Sequence, residues 1–150
     1  LGAFDPLKFT SKLDNIMRSQ DFLIIDGEIF NHNDTLAGYD NPVNRQFAFG
    51  PLSSVGLSET KDGRLHIKTD IDKRKPGLYR IRKYFQASRD LKIMLAGETV
   101  KITSETNIEM SWSYKYDRDS LTELITSSGM QIAKEYLSED KKFLTLLVKK

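Results

Sequence analysis

The apolar residues of the chain first recur at helical spacing and then form one continuous run. Near the N-terminus they make a single stripe of Phe9, Leu13, Ile16 and Met17. Because Asp5 followed by Pro6 is a typical helix start, the sequence predicts a helix from there to about Ser19. The apolar run at 22–26 is typical of a strand buried on both faces of a parallel sheet. A helix followed by such a strand is half of an α/β repeat.

The period changes to two in the middle of the chain. Before that change, 38–42 has the composition of a loop, and Asn41 with Pro42 predicts a second helix that Gly50-Pro51 kinks or breaks. Apolar and polar residues then alternate along the segments 64–71, 79–85, 91–95, 99–103 and 107–116. These segments predict an antiparallel meander of about five strands.

The clearest alternation lies at 107–116. Its even positions are all apolar or aromatic, namely Ile108, Met110, Trp112, Tyr114 and Tyr116. The pattern predicts a strand with one buried face, with Met110, Trp112 and Tyr114 in the core. The other face carries a row of hydrogen-bonding groups that includes Glu109, Ser111 and Ser113. We interpret this strand as one wall of a substrate pocket.

The C-terminal part predicts a helix and a hairpin. Asp117 is placed to cap a helix that contains Ile125, and Gly129 is placed to end it. Two strands follow at 130–137 and 143–148, joined by a polar loop. Together with the rest of the chain, these elements predict an α/β fold, or α+β if the chain is a separate piece.

Composition excludes several classes of protein. With 150 residues, 39% hydrophobic and 29% charged, the chain is long enough for one globular domain with its own core. It has no cysteine, so disulfides, thiolate metal sites and a cysteine nucleophile are excluded. His32 and His66 do not have metal-ligand spacing, so no metal is expected. No apolar run reaches the roughly 20 residues of a membrane span, so we expect no membrane partner and a cytoplasmic location.

Positive charge is concentrated in the segment 61–92. This segment has eleven Lys or Arg against four Asp, a net +7, whereas the remainder of the chain sums to −5. Two interpretations stay open: a solvated face of the meander, or a non-catalytic binding module that grips an anionic ligand or nucleic acid. Nucleic acid is the less favoured partner, because Tyr79 and Phe85 lie opposite Arg80 and Arg82 rather than among them.

Three short stretches resemble a known family of enzymes. They are Gly-Tyr-Asp-Asn at 38–41, the start of the meander at 63–65, and Ser-Tyr-Lys-Tyr at 113–116 before a capped helix. With the element order, they resemble the C-terminal part of the histidine-specific methyltransferases, which include the enzyme that trimethylates histidine in ergothioneine biosynthesis. The resemblance covers nearly the whole chain.

The resemblance implies the end of a Rossmann-like class I methyltransferase sheet, with an antiparallel substrate-binding meander inserted after its fifth strand. In this chain it implies three parts. Residues 1–58 are then the end of the α/β core and a helical connection, 59–116 are the inserted meander, and 117–150 are the closing helix and β-hairpin of the core sheet.

The resemblance also implies roles for individual residues. Tyr39 falls on a family tyrosine that contacts the substrate amino acid, and it is our candidate for the catalytic residue that steers the acceptor. Ser113 falls on a serine of the substrate pocket, and Ile67 falls on an apolar wall position. These residues are expected to bind a small-molecule acceptor.

Two positions depart from the family pattern. Ser111 stands where the family has the glutamate that grips the imidazole, and Ala3 aligns with a family asparagine. Glu109 is on the same strand face as Ser111 but one strand step away, roughly 7 Å. Because loss of a carboxylate and an amide removes the groups that would specify histidine, we expect a small amino-acid-like acceptor other than histidine.

The resemblance implies S-adenosylmethionine as the cofactor of an N-methyltransferase. In this fold the glycine loop after strand one and the acid after strand two bind the cofactor, and both would lie before Leu1. Gly27, Gly38, Gly50 and Gly56 are scattered and form no such loop. We therefore expect the chain alone to be inactive and to work with a missing N-terminal part of the same gene product. A degenerate, non-catalytic relative is a third interpretation.

The segment 22–28 adds two expectations. Asp26 and Glu28 lie at the C-terminal end of the predicted strand, where the active sites of α/β proteins collect, although carboxylates there equally cap a following turn. If the chain folds alone, the strand at 22–26 has an unpaired apolar edge. We therefore expect a homodimer through that edge.

Overall fold

The structure, a computed structural model, describes residues 4–150, so Ala3 lies outside it. Its helices and strands are α1 (Pro6–Ile16), β1 (Phe22–Glu28), α2 (His32–Tyr39), α3 (Pro42–Ser54), β2 (Gly63–Ile71), β3 (Leu78–Ala87), β4 (Leu91–Leu95), β5 (Glu98–Ile102), β6 (Asn107–Tyr116), α4 (Arg118–Thr126), β7 (Gln131–Leu137) and β8 (Phe143–Lys149). The predicted mixture of helices and antiparallel strands is confirmed. No helix within the described residues is both long and apolar enough to cross a membrane.

The chain forms two compact units, and the first comprises the described part of 1–32 with 70–81 and 113–150. Its sheet has the strand order β1-β8-β7. Across the antiparallel β1–β8 ladder, Ile25 pairs with Leu146 and Gly27 with Leu144. These residues are buried in a core to which the helices contribute Leu7, Leu13, Met17, Leu121, Leu124 and Ile125.

Both described helices of the first unit start where the sequence predicts, but only one of the two predicted N-caps makes its side-chain hydrogen bond. The Asp5 carboxylate accepts the Lys8 backbone N–H at 3.2 Å, as an N-cap should. The helix then ends at Ile16, which is exposed, rather than near Ser19. Asp117 is the N-cap of α4 but makes no side-chain cap hydrogen bond, and so that part of the prediction was wrong.

One face of the β1-β8-β7 sheet is open to solvent. Phe22 and Ile24 are 63% and 70% exposed, and Phe143 and Tyr136 are exposed on the neighbouring strands. The strand register places all four on the same face. The prediction of a parallel strand buried on both faces was therefore wrong, because β1 pairs antiparallel with β8 and only its other face is covered.

The second unit comprises 33–69 and 82–112. Phe49 of α3 packs on Phe85 of β3 with ring centroids 5.5 Å apart. Asn41 caps α3 by accepting the backbone N–H of Asn44 at 3.0 Å, which confirms the predicted helix start. The core around these residues is made of Ala48, Phe49, Leu52, Leu57, Leu65, Phe85, Ala87, Leu91, Ile93 and Ile102.

The predicted five-stranded meander was wrong in its pairing. Strands β2, β3 and β6 form one sheet in that order, and the boundary between the units falls within each of them. Strands β4 and β5 form a separate hairpin. Its two-residue turn has positive φ at both Ala96 and Gly97, which is the geometry of a tight hairpin turn. The hairpin closes locally, and β3 pairs with β6 instead of β4.

Three local predictions also differ from the structure. The loop predicted at 38–42 is reduced to a short break, because α2 extends to Tyr39. Helix α3 continues through Pro51. The missing N–H of Pro51 removes one helical hydrogen bond, and Phe47, one turn earlier, lies on the exposed side of the helix. Trp112 is 46% exposed rather than in the core.

Candidate functional site

The strands of the second unit separate two sets of side chains. Leu65 of β2 and Phe85 of β3 lie in the same core. Because side chains alternate along a strand, Ile67 and Lys83 share that side of the sheet, which we call the buried face. Both are buried, at 9% and 7% exposure. The opposite side is called the open face.

Tyr39 is positioned by the break between α2 and α3. Arg45 on α3 donates hydrogen bonds to Asp40 at 2.6 Å, to Glu59 at 2.8 Å and to the backbone carbonyl of Leu65 at 2.8 Å. Because Asp40 directly follows Tyr39 and Leu65 lies on β2, these bonds fix the tyrosine relative to the strand. No motif surrounds Arg45 in the sequence, so its role is visible only in the structure.

The Tyr39 ring lies against the ammonium group of Lys83. The Lys83 Nζ is 5.2 Å from the ring centroid, within cation–π distance. Burial lowers the pKa of this ammonium, and no carboxylate within residues 4–150 forms an ion pair with it. A cation–π contact contributes about 0.5–2 kcal/mol, so the Tyr39 ring offsets part of the cost of burying this side chain.

A polar group on the neighbouring strand β2 lacks a hydrogen-bond partner. The hydroxyl oxygen of Thr69 is buried and has no hydrogen-bond partner among residues 4–150. Thr69 is two residues after Ile67, so it lies on the same face of the strand. The signal for Lys83 was present in the sequence, because the lysine interrupts the apolar series of Tyr79, Ile81 and Phe85.

Glu109 and Ser111 lie on the open face. Ile108 and Met110 pack against the core of the second unit, so the alternating residues between and after them point the other way. Ser111 is exposed. The sequence-predicted residues are thus divided: Ile67 is on the buried face of this sheet, and Glu109 and Ser111 are on its open face.

The open face carries charges and rings that have partners. Arg82 Nε donates to both carboxylate oxygens of Glu109, at 3.1 and 3.2 Å. The rings of His66 and Tyr84 stack with centroids 5.0 Å apart, and the Lys68 Nζ lies 5.7 Å from the centroid of the Tyr84 ring. The carboxylate of Glu109 is therefore already engaged by a guanidinium.

Ser113 belongs to the first unit with the rest of the Ser113–Tyr116 block. Ser113 is half-buried, whereas Lys115 is 5% exposed and its Nζ lies 2.5 Å from the carboxylate of Glu28. The Tyr116 carbonyl accepts the Phe30 backbone N–H at 2.8 Å, and burial raises the pKa of the Tyr116 hydroxyl. The block therefore joins β6 to the end of β1.

The carboxylates at the end of β1 have different surroundings. Glu28 is taken up by the ion pair just described, and Asp26 is exposed. Beyond them, the rings of Phe30 and Tyr79 stack with centroids 4.0 Å apart. The Tyr79 hydroxyl donates to Asp117 at 3.4 Å, and burial raises the pKa of that hydroxyl. Glu28 thus pairs with a lysine instead of capping a turn.

Much of the basic segment 61–92 is neutralised locally. The ion pairs join Arg74 to Asp5 and Asp72, Lys75 to Glu123, Arg80 to Asp70, Arg82 to Glu109 and Arg89 to Asp62. Hydrogen bonds from Arg74 hold the pKa of Asp72 at about 2. These pairs reduce the charge that the segment presents to an anionic macromolecule.

Two observations on the described residues concern metals and cofactors. Within 4–150, no three histidine, aspartate or glutamate side chains are grouped to hold a metal ion. Gly27 is a packing glycine, because a Cβ there would lie 2.7 Å from the Leu121 side chain. Gly38 and Gly50 lie within helices with open space around them. No pair of these glycines forms a loop that would approach a nucleoside.

Comparison with known proteins gives one family. A family model described as histidine-specific methyltransferase, SAM-dependent, matches residues 70–150, which is 81 of the 150 residues. No curated protein matches the chain. The crystal structure of a S-adenosylmethionine-dependent methyltransferase from Clostridium acetobutylicum ATCC 824 matches with 9% identity and a TM-score of 0.41. The match covers 97% of this chain and 52% of that one, so the chain spans about half the length of that structure.

The extent of the family match decides the assignment. It covers more than half of the chain and includes the Ser113–Tyr116 block on which the sequence resemblance depends. The chain therefore belongs to the family of histidine-specific, SAM-dependent methyltransferases.

Proposed function

We propose that this chain is the C-terminal, substrate-binding part of a SAM-dependent N-methyltransferase whose acceptor is a small amino-acid-like molecule other than histidine. In this proposal the N-terminal part of the same gene product completes a Rossmann-like sheet and supplies the contacts to S-adenosylmethionine. The residues of this chain bind and orient the acceptor.

The observation that supports the proposal is the contact between Tyr39 and Lys83. The resemblance puts Tyr39 at a family position that contacts the substrate amino acid, and Arg45 holds the neighbouring Asp40 in place. The Lys83 ammonium lies over its ring on the same face as Ile67. This arrangement combines an aromatic ring, an apolar wall and a positive charge, which suits a small zwitterion.

The preference against histidine rests on the family resemblance at position 111 and not on the contacts around Tyr39. A serine stands at 111 where the family has a carboxylate for the imidazole. Glu109, the carboxylate nearest along the strand, is already bound by Arg82. An imidazole placed there would meet the Ser111 hydroxyl in place of a carboxylate, and a hydroxyl discriminates less strongly than a carboxylate.

The role proposed for Tyr39 is positioning. Methyl transfer needs the acceptor nitrogen in line with the methyl group, and orientation of this kind accounts for a large part of enzymatic rate enhancement. The Tyr39 hydroxyl is proposed to bind the acceptor while the ring stays packed on Lys83. Because the glycines of this chain do not fit a nucleoside, we assign no cofactor contact within it.

The test is transfer of labelled methyl groups from S-adenosylmethionine to each standard amino acid, with the complete gene product and with this chain alone. We expect product from an amino acid other than histidine, and only with the complete gene product. Tyr39→Phe is expected to lower kcat/KM on the order of tenfold to a hundredfold. Tyr84→Phe, on the open face, is the matched control and should remain near the parent value.

Three outcomes separate the proposal from its rivals. Histidine as the best acceptor would contradict the proposed specificity and leave the methyltransferase assignment intact. No methylated product from any amino acid, with intact binding of S-adenosylmethionine by the complete gene product, would favour a degenerate relative. A non-catalytic anion-binding module would instead show binding that weakens steeply with salt.

A further inference from the structure

Among the described residues, two lysines of the β2-β3-β6 sheet are buried: Lys115 pairs with Glu28, and the other is Lys83. It projects from the same face of β3 as Phe85 and Ala87, which are both fully buried. Within residues 4–150 it has no carboxylate partner, and its one close charged or aromatic contact is the ring of Tyr39. A buried ammonium is normally paired, so the position calls for an anion that the described residues do not supply.

The Lys83 ammonium shares the buried face with one more polar group that lacks a hydrogen bond. The one buried side-chain polar atom without a hydrogen bond in 4–150 is the hydroxyl oxygen of Thr69, so the Lys83 Nζ itself keeps contact with solvent. That oxygen lies on the same face of the sheet, two residues along β2 from the buried Ile67. Two polar groups with unused hydrogen-bonding capacity thus share a face with an apolar wall and the Tyr39 ring.

We infer that Lys83 binds the carboxylate of the acceptor beside Tyr39 and that it is the residue that selects acids over neutral analogues. The inference rests on the proposed function for the identity of the ligand as an amino acid. The carboxylate would accept a charge-assisted hydrogen bond from the ammonium and replace the solvent that the group now contacts. The Thr69 hydroxyl is the second donor on that face.

The experiment measures binding and does not require methyl transfer. The probes are the standard L-amino acids, each paired with its own carboxamide, which removes the negative charge at nearly constant size. Affinities are measured by titration calorimetry, and the lysine ε-methylene signals are followed by NMR in the 150-residue chain and in the complete gene product. The variants are Lys83→Met, Lys83→Arg and the control Lys68→Met.

The variants are chosen to keep the fold. Methionine at 83 places an apolar side chain of similar length on the buried face, so it is expected to fold. Arginine keeps the charge and is expected to keep part of the preference. Lys68 is a matched control, because its ammonium lies 5.7 Å from the centroid of another tyrosine ring, Tyr84, on the open face.

We expect at least one free acid to bind about tenfold or more tightly than its amide, and to shift the Lys83 signals. This preference should disappear in Lys83→Met and persist in Lys68→Met. Equal binding of acid and amide, an undiminished preference in Lys83→Met, or no binding of any free acid by the complete gene product would overturn the inference. An acid preference that depends on Lys83 without any methylated product would leave this inference standing and contradict the proposed function.

Discussion

The two units depart from the rule of apolar inside and polar outside in opposite ways. In the first unit, the β1-β8-β7 sheet exposes Phe22, Ile24, Tyr136 and Phe143 to solvent on one face. In the second unit, the buried face of β3 contains an ammonium, that of Lys83. The first unit thus exposes apolar side chains to solvent, and the second unit places a charged side chain on a buried face.

The difference indicates what each region needs. Exposed apolar side chains on a sheet face are stabilised by any protein surface that covers them, so they point to more protein. A buried charge gains little from an apolar cover and needs an opposite charge of fitting size, so it points to a ligand. The first unit is therefore expected to pair with protein, and the second to bind a small anion.

The largest expected effect is the loss of stability when a leucine on the covered face of the β1-β8-β7 sheet is shortened to alanine. Leu146 is fully buried and pairs with Ile25, whereas its neighbour Leu147 is half-buried and pairs with Ile24 on the open side. We expect Leu146→Ala to lower the free energy of unfolding by about 2–5 kcal/mol and Leu147→Ala by about 1 kcal/mol or less. Urea denaturation of both variants measures the contrast. Equal losses would mean that the two faces are covered alike.

The next largest expected effect is on stability when the buried Lys83 is replaced. Lys83→Met is expected to raise the free energy of unfolding by up to about 1 kcal/mol at neutral pH, because it removes a partly desolvated ammonium. Lys68→Met, on the open face, should stay within about 0.5 kcal/mol of the parent. A destabilised Lys83→Met variant would show that the ammonium is better satisfied than its contacts indicate.

The same lysine should make stability depend on pH in a defined direction. Burial lowers the pKa of Lys83 in the folded state below its ordinary value of 10.5. Below the lowered pKa both states bind the proton, and the penalty on the folded state is complete. Between the lowered pKa and 10.5 the unfolded state binds more protons, so stability rises with pH. The difference between the parent and Lys83→Met should shrink across that interval in denaturation measured at several pH values.

What the sequence predicted well was local. The strands at 91–95 and 107–116 have the predicted bounds, because a period of two is a property of consecutive residues. The choice of partner is not local: β3 pairs with β6 across an intervening hairpin, and the sequence pattern is the same for either pairing. Apolar periodicity at 107–116 also predicted Trp112 in the core, but its side chain is 46% exposed, because periodicity does not tell whether another element covers that end of the strand.

The sequence indicated individual candidate residues but not how they are arranged. Tyr39 and Ile67 were singled out through the resemblance, and the alternation along the strands was sufficient to predict that Ile67 and Glu109 occupy different environments. The contact of Tyr39 with Lys83 joins residues 44 positions apart and could not be derived from spacing. The lysine in an apolar series was nevertheless visible as an anomaly.

A smaller effect tests whether the open face of the first sheet recruits protein. We expect the isolated chain to self-associate through β1, and Ile24→Lys to raise the dissociation constant about tenfold or more, because it places a charge in an apolar contact. Ile16→Lys is the matched control, since Ile16 is also exposed but lies on α1. Sedimentation velocity over a range of concentrations measures both. A parent chain that stays monomeric at high concentration would contradict this prediction.

The smallest effect should come from the open face of the second unit, where the charges are already paired. Glu109→Gln removes the carboxylate that Arg82 binds, and both side chains are about one-third exposed. We expect a loss of about 0.2–1 kcal/mol in the free energy of unfolding, because exposed ion pairs are screened by solvent. The loss should shrink further at high salt. Chemical denaturation at low and high ionic strength measures it, with Arg82→Gln and the double variant completing a cycle that isolates the pair. A loss of several kcal/mol that persists in salt would mean that Glu109 is held in a closed, water-poor site, and the contrast between a paired open face and an unpaired buried charge would then fail.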